Sequence, residues 1–308
     1  MKQFNSIVVL GPTASGKTRL ACALAHALKT EIISADSRQV YKHLDIGTGK
    51  DLHEYRVKGV SIPVHLINVR EPSEQFYLHE FVDSLIKVST QLLRENKYPI
   101  VCGGTGLYLD AIRKDFSFTQ IPEDPALREQ LQLLSKEELL ARVQTYPPQH
   151  RSHLDLNSKK RLIRGIEINE FFKAGHVLEP APRNPLNPYY LGIRVEKERM
   201  QASIEARLKH RLDHGLVEEV QSLLQQGLTH ERLHTLGLEY KFVSQYVLQE
   251  LTRDEMISRL QTAIFQFAKR QMTWFRKMEK EGIRIHWVNP ETPVDSLLRG
   301  ISFQPFSS

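Results

Sequence analysis

The sequence predicts an α/β fold, a parallel sheet flanked by helices, with a helical segment inserted into it. Three observations predict it. The apolar run Ile7-Val8-Val9-Leu10 leads straight into GPTASGKT, Gly11 to Thr18, and a helical pattern to Leu28 follows. Strand-like and helix-like patterns then alternate over the first hundred residues. Near Ile121-Pro-Glu-Asp-Pro125 the texture turns polar and helical, and strand signals return only at Tyr189.

The elements follow in order. Ile7–Leu10, Glu31–Ile33, Pro63–Ile67 and Pro99–Cys102 are short apolar runs of buried-strand type, with helical periodicity at Lys17–Leu28 and Leu78–Glu95 between them. Residues 116–188 form the helical insertion, which ends in the proline-rich stretch Glu179–Pro188. Tyr189–Val195 and Ile283–Val288 read as further strands. The domain plan is therefore a core of 1–115 with 189–308, interrupted by 116–188.

GPTASGKT fits Gly-x-x-x-x-Gly-Lys-[Ser/Thr] in the strand–loop–helix setting that this pattern needs, which makes the fold class P-loop NTPase-like. Gly11 and Gly16 let the loop curl so that backbone N–H groups converge, and the following helix adds its positive dipole end. Lys17 is placed to neutralise terminal phosphate oxygens, and the Thr18 hydroxyl to sit on Mg²⁺. Nucleotide hydrolases with this loop carry a second strand ending in Asp. Here that strand, Tyr98–Cys102, runs into Gly103-Gly104-Thr105-Gly106, which reads as a second anion-binding turn. An acid ends a different strand, at Asp36, where metal-water orientation, a base and a simple turn residue are all open.

Composition narrows the class. The chain has 308 residues, is 41% hydrophobic and carries a net charge of +6, a mild bias toward anionic partners. It shows no 18-residue apolar run and no cleavable leader, so the expectation is a cytoplasmic protein without a membrane partner; a monomer is expected as well. Cys22 and Cys102 form no framework or zinc pattern and are expected to be buried thiols.

A set of stretches resembles the tRNA dimethylallyltransferases, also called tRNA isopentenyltransferases, in their bacterial form. They are GPTASGKT (11–18), SADSRQVY (34–41), DIGTGK (45–50), HLI (65–67), GGTGLYL (103–109), KKRLIRGIE (159–167) and FAKRQMTWFR (267–276). The resemblance implies transfer of a dimethylallyl group from dimethylallyl diphosphate to N6 of the adenosine just 3′ of the anticodon, releasing diphosphate. It implies that Gly11, Pro12, Thr13, Ala14, Ser15, Gly16, Lys17 and Thr18 hold the diphosphate, with Mg²⁺ at Thr18, and that Asp36, Thr105 and Arg207 are catalytic. Asp36, Ser37, Arg38 and Gln39 are implied at the base entrance. Arg128, Lys160, Arg161, Leu162, Ile163 and Arg164 are implied at the anticodon stem-loop, with Lys241, Lys269 and Arg270 as further tRNA contacts. Between Arg259 and Lys280 six Lys or Arg stand against one acid, interleaved with aromatics, which suits phosphate contact on one face and core packing on another.

The family pattern is departed from at Asn68, where Asp is usual, at Tyr77, where Ser is common, and in Leu236–Lys241, looser than the usual form. His230-Glu-Arg-Leu-His234 matches the zinc-protease pattern by letter, but lies between Gly227 and Gly237 in what reads as a short polar connection without a third ligand. His210 and His214, at helical spacing, read as surface histidines. Two rival readings stay open. A prenyltransferase of free AMP or ADP would lack the basic insertion and the basic helix, and a P-loop NTPase or small-molecule kinase would need the strand-end Asp.

Overall fold

The computed structural model describes residues 3–147, 156–178 and 183–306. The chain divides into two compact units, Met1–Lys114 with Arg183–Ser308, and Asp115–Pro182. Residues 183–188, assigned above to the insertion, belong to the larger unit. There Asn184 Nδ2 donates to Ile112 O at 2.7 Å and the Asn187 amide donates to Asn5 Oδ1 at 2.7 Å. Glu179–Pro182 of the proline-rich stretch lie outside the described residues.

In the larger unit the chain runs β1 (Ser6–Leu10), α1 (Lys17–Leu28), β2 (Ile32–Ser34), a hairpin of β3 (Arg56–Val57) and β4 (Val60–Ser61), β5 (Val64–His65), α2 (Leu78–Arg94), β6 (Ile100–Gly103) and α3 (Gly106–Ala111). The smaller unit holds α4 (Pro125–Leu133), α5 (Lys136–Gln144) and α6 (Lys159–Lys173). The larger unit resumes with β7 (Pro188–Ile193), α7 (Lys197–Asp213), α8 (Leu216–Gln225), α9 (His230–Leu236), α10 (Leu238–Val247), α11 (Arg253–Lys280), β8 (Ile285–Val288) and α12 (Val294–Arg299).

Among the described residues six strands form one sheet in the order β5-β2-β6-β1-β7-β8, with every neighbouring pair parallel. Alternation along β1 explains why the strands read as continuous apolar runs: both faces are covered. Val8 and Leu10 pack with Phe81 and Leu85 of α2, Leu109 of α3 and Phe275 of α11. Ile7 and Val9 face Leu20, Leu24 and Ala25 of α1. A second core, among α7 to α11, takes in Val40, Tyr41 and Leu44 from the segment after β2. Among the described residues no helix is long and apolar enough to cross a membrane.

In the smaller unit, Leu131, Leu139, Val143, Leu162, Ile163 and Ile166 form the core. This corrects the expectation for Leu162 and Ile163. Both are buried, at 0% and 5% exposure, so their side chains hold the three helices together and are not available to RNA.

Candidate active site

β1 delivers the phosphate loop. Ala14 and Gly16 have φ of 58° and 82°, the left-handed turns that curl the loop before α1 begins at Lys17. Lys17 lies over the loop with Nζ 3.4 Å from Pro12 O. Burial lowers its pKa from the ordinary lysine value, opposed by Cys102 and Asp36. The Ser15 hydroxyl is buried without a partner, and no hydrogen bond engages the Thr18 hydroxyl among the described residues. Thr13 differs from expectation at its backbone. Its N–H donates to Gln271 Oε1 at 2.8 Å and so is not turned to a phosphate.

Asp36 follows β2 and does two things with two oxygens. Oδ1 accepts the N–H of Arg38 at 2.9 Å and of Gln39 at 3.4 Å, which holds the turn. Oδ2 has no partner among the described residues, and Asp36 lines a cleft of about 430 Å³. Of the three roles weighed for an acid here, the turn role is filled by Oδ1, and the free Oδ2 is compatible with a base beside it. Thr105 stands beside it, accepting the Ser37 N–H at 3.1 Å and donating to Ser37 Oγ at 3.4 Å.

The turn between β6 and α3 explains its glycines by contact. A Cβ on Gly103 would stand 2.1 Å from Ala35 O, and one on Gly104 2.3 Å from Gln271 Nε2. No acid fits in that place, so the strand end that hydrolases use for metal is closed by packing.

The cleft is lined by Lys17, Asp36, Arg38, Thr105, Trp274 and Arg270, among others. Leu107 and Phe267, each 39% exposed, add apolar surface to it. Lys241 also lines it, and Lys269, outside the lining, places Nζ 4.7 Å from the Phe265 ring centroid. Arg38 is anchored through Nη1 to Thr235 O at 2.5 Å. Gln39 does not line the cleft. Its Nε2 donates to Gly49 O at 3.1 Å, tying the 47–50 loop to the end of β2.

Arg207 likewise stands off the lining and pairs with Asp51. Burial pushes the Asp51 carboxyl up, but Arg207 outweighs it and holds the group below the ordinary carboxylate range. One helical turn on, Arg211 does reach the cleft, donating to Glu239 Oε1 at 2.9 Å and Gly47 O at 3.2 Å. Burial raises the Glu239 pKa against the pull of Arg211. Sequence reading missed this pair, although the arginine falls at helical spacing from Arg207. It also missed Glu219, whose carboxylate accepts the N–H groups of Asp45, Ile46 and Gly47 at 2.9, 2.7 and 3.0 Å, and the hydroxyl of buried Tyr240 at 2.7 Å. Those bonds fix the DIGTGK loop.

In the smaller unit Arg128 donates to both oxygens of buried Glu167, at 3.0 and 2.6 Å. Arg164 donates to Phe118 O at 3.1 Å and Ile121 O at 2.5 Å. Both guanidiniums brace their own unit, while Lys160 and Arg161 are exposed.

Of the departures from the family pattern, Asn68 and Tyr77 lie off the cleft lining, whereas Leu236–Lys241 form part of it. Asn68 Oδ1 accepts from Lys50, a lysine 1% exposed that also donates to Asp45 at 2.7 Å. Tyr77 precedes α2, 43% exposed and stacked on His79. The His-Glu-x-x-His stretch is a correction in structure: it forms helix α9, with Leu233 and Leu236 in the core. His230 Nδ1 lies 2.5 Å from Ser244 Oγ, and no group of three or more His, Cys, Asp or Glu among the described residues is placed to hold a metal. The His210 and His214 rings lie tilted at 34° to each other, their centroids 3.8 Å apart.

Known proteins resemble this chain over most of its length. The model of the IPP transferase family matches residues 39–278. A tRNA dimethylallyltransferase 1 of Parabacteroides distasonis is 45% identical over 295 residues, covering 96% of this chain and 95% of its own. A tRNA dimethylallyltransferase 2 of Syntrophotalea carbinolica is 46% identical over 297 residues, covering 96% and 98%. The crystal structure of a tRNA isopentenylpyrophosphate transferase from Bacillus halodurans superposes with a TM-score of 0.67 at 28% identity, covering 96% of this chain and 94% of the other. On sequence, fold and the match over most of its length, the chain belongs to the IPP transferase family.

Proposed function

We propose that this enzyme transfers a dimethylallyl group from dimethylallyl diphosphate to N6 of the adenosine 3′-adjacent to the anticodon in tRNA, releasing diphosphate. One observation carries the reading. A phosphate loop, an acid with an open oxygen, and apolar and basic surface meet in a single cleft.

The chemistry follows from charge. As the donor's C1–O bond loosens, negative charge gathers on the leaving diphosphate. The loop amides, the N-terminal end of α1 and Lys17 stabilise that charge. Arg207, held by Asp51, and Arg211, held by Glu239, add positive potential behind them. The exocyclic amine attacks and sheds a proton, which Asp36 Oδ2 accepts while Oδ1 keeps the turn in place. Thr105 orients Ser37 beside that acid. An adenine cannot react within an anticodon stack, so it is splayed out and stacked against Trp274 and Phe267. Lys160 and Arg161 in the smaller unit, with Arg38, Lys241, Lys269 and Arg270, contact the RNA backbone, and Arg128 and Arg164 support the surface that Lys160 and Arg161 present.

Mg²⁺ fits the loop. The Thr18 hydroxyl and the orphaned Ser15 hydroxyl would hold it, oxygen donors of the kind this ion takes. Bound there, it would neutralise charge on the leaving group.

Incubation with labelled dimethylallyl diphosphate and either total tRNA or AMP tests the proposal. Label is expected on tRNA. Label on AMP alone, or ATP hydrolysis without transfer, would overturn it.

A further inference from the structure

The strongest unassigned feature of the cleft is a neutral side chain. Gln271 lies on α11 and is 7% exposed. Its Oε1 accepts the Thr13 N–H at 2.8 Å, and its Nε2 donates to Gly104 O at 2.9 Å. One amide therefore ties the phosphate loop after β1 to the turn after β6. Only one orientation of the amide satisfies both partners, since one is a donor and the other an acceptor.

The surroundings are built to fit it. The Gly104 position leaves the room that Nε2 fills, because a Cβ there would stand 2.3 Å away. Trp274, one turn further along α11, fills the corresponding space at Gly106, where a Cβ would stand 2.3 Å from its Cγ. The two segments joined by Gln271 carry the two sides of the reaction. The first holds Lys17 and the leaving diphosphate. The second runs into Thr105, which holds Ser37 next to Asp36.

We propose that Gln271 is a positioning residue that sets the separation between the diphosphate loop and the Thr105–Asp36 side of the cleft. It does so through Thr13 and Gly104, whose hydrogen bonds engage both ends of its amide. The proposal rests on the prenyl-transfer reading for its effect on rate, but not for its effect on diphosphate binding. Displacements of about 1 Å between reacting groups cost on the order of 10²-fold in rate, so a clamp of this kind is felt in turnover before it is felt in folding.

Gln271→Met removes both bonds at similar volume. Gln271→Glu keeps the acceptor for Thr13 but faces Gly104 O with a second acceptor until its carboxyl is protonated. In Gln271→Met, kcat is expected to fall about 10²-fold, with KM for tRNA changed less than about two-fold and affinity for inorganic diphosphate reduced. In Gln271→Glu, diphosphate affinity relative to wild type should recover as pH falls, while Gln271→Met shows no such recovery. A merely structural residue would lower the melting temperature and the folded fraction without that pH signature. Folded Gln271→Met with wild-type kcat and diphosphate affinity would overturn the clamp, as would Gln271→Glu without recovery toward acid pH. If wild-type protein labels no tRNA yet its diphosphate affinity depends on Gln271 as described, the transfer reading falls and the clamp stands.

Discussion

Replacing Asp36 by Asn separates the turn bonds of its carboxylate from the proton-accepting role proposed for it. Oδ1 accepts the Arg38 and Gln39 amides, and the Asn carbonyl oxygen keeps both bonds. Oδ2, unpartnered among the described residues, becomes an NH₂ group that cannot take a proton. The fold and the turn should therefore survive, with donor binding intact and tRNA binding within a few-fold. Loss of a general base costs about 10²–10⁴-fold, which is roughly 3–5 kcal/mol added to the barrier. Single-turnover transfer of labelled dimethylallyl groups to tRNA, with both substrates saturating, measures that step directly. Raising pH should not restore the variant, because the amide has no proton to lose in that range. Asp36→Ala provides the contrast: it also removes the turn bonds, and should lose about 1 kcal/mol of stability that Asp36→Asn retains. Transfer by Asp36→Asn at near-normal rate would show that Asp36 holds the turn and nothing more, and the base would have to be sought elsewhere.

Three further outcomes are expected. Lys17→Ala and Thr18→Ala should each lose on the order of 10²-fold or more in turnover, and purified enzyme should show no Lys17-dependent ATP hydrolysis, which a phosphate-release assay checks. Lys269→Glu with Arg270→Glu should weaken tRNA binding and flatten its dependence on salt, because fewer counterions are released from the phosphates, with donor affinity unchanged. An unchanged salt slope in a filter-binding titration would place both residues in a structural role. Burial pushes Cys22 and Cys102 up to about 12, so at pH 8 only roughly one thiol in ten thousand is ionised. Native protein should resist iodoacetamide at that pH and label at both cysteines once unfolded, as mass spectrometry would read.

The sheet was legible because each of its longer strands is apolar on both faces, and Ile7–Leu10 followed by Gly11 and Gly16 admits few other conformations. Strand ends shifted by a residue or two: β8 begins at Ile285, not Ile283, because the chain is still leaving α11 there. The hairpin of β3 and β4 is two residues a side and too short for any periodicity. α9 was hidden because only Leu233 and Leu236 of its seven residues face the core, so charged neighbours dominated the reading. The site divided along a similar line. Loop residues declared themselves by local spacing. Gln271, Glu219 and Arg211 did not, since each acts on backbone groups more than a hundred residues away. The resemblance placed Arg128 and Arg164 at the anticodon stem-loop, and no sequence pattern shows that Glu167 and three carbonyl oxygens also take them up.

The parallel order of the sheet sets a timetable for synthesis. In β1, Ile7 pairs with Ile100 on one side and Tyr189 on the other. A ribosome adding about 5–20 residues per second releases β7 roughly ten seconds or more after β1. Through that interval the nascent chain carries an apolar strand with both edges open until β6 is made and one edge open after it. Helices α4, α5 and α6 emerge meanwhile and need only near neighbours to close their own core, a process of microseconds to milliseconds. The insertion is thus expected to be folded on the emerging chain before the strand that follows it arrives to cover β1.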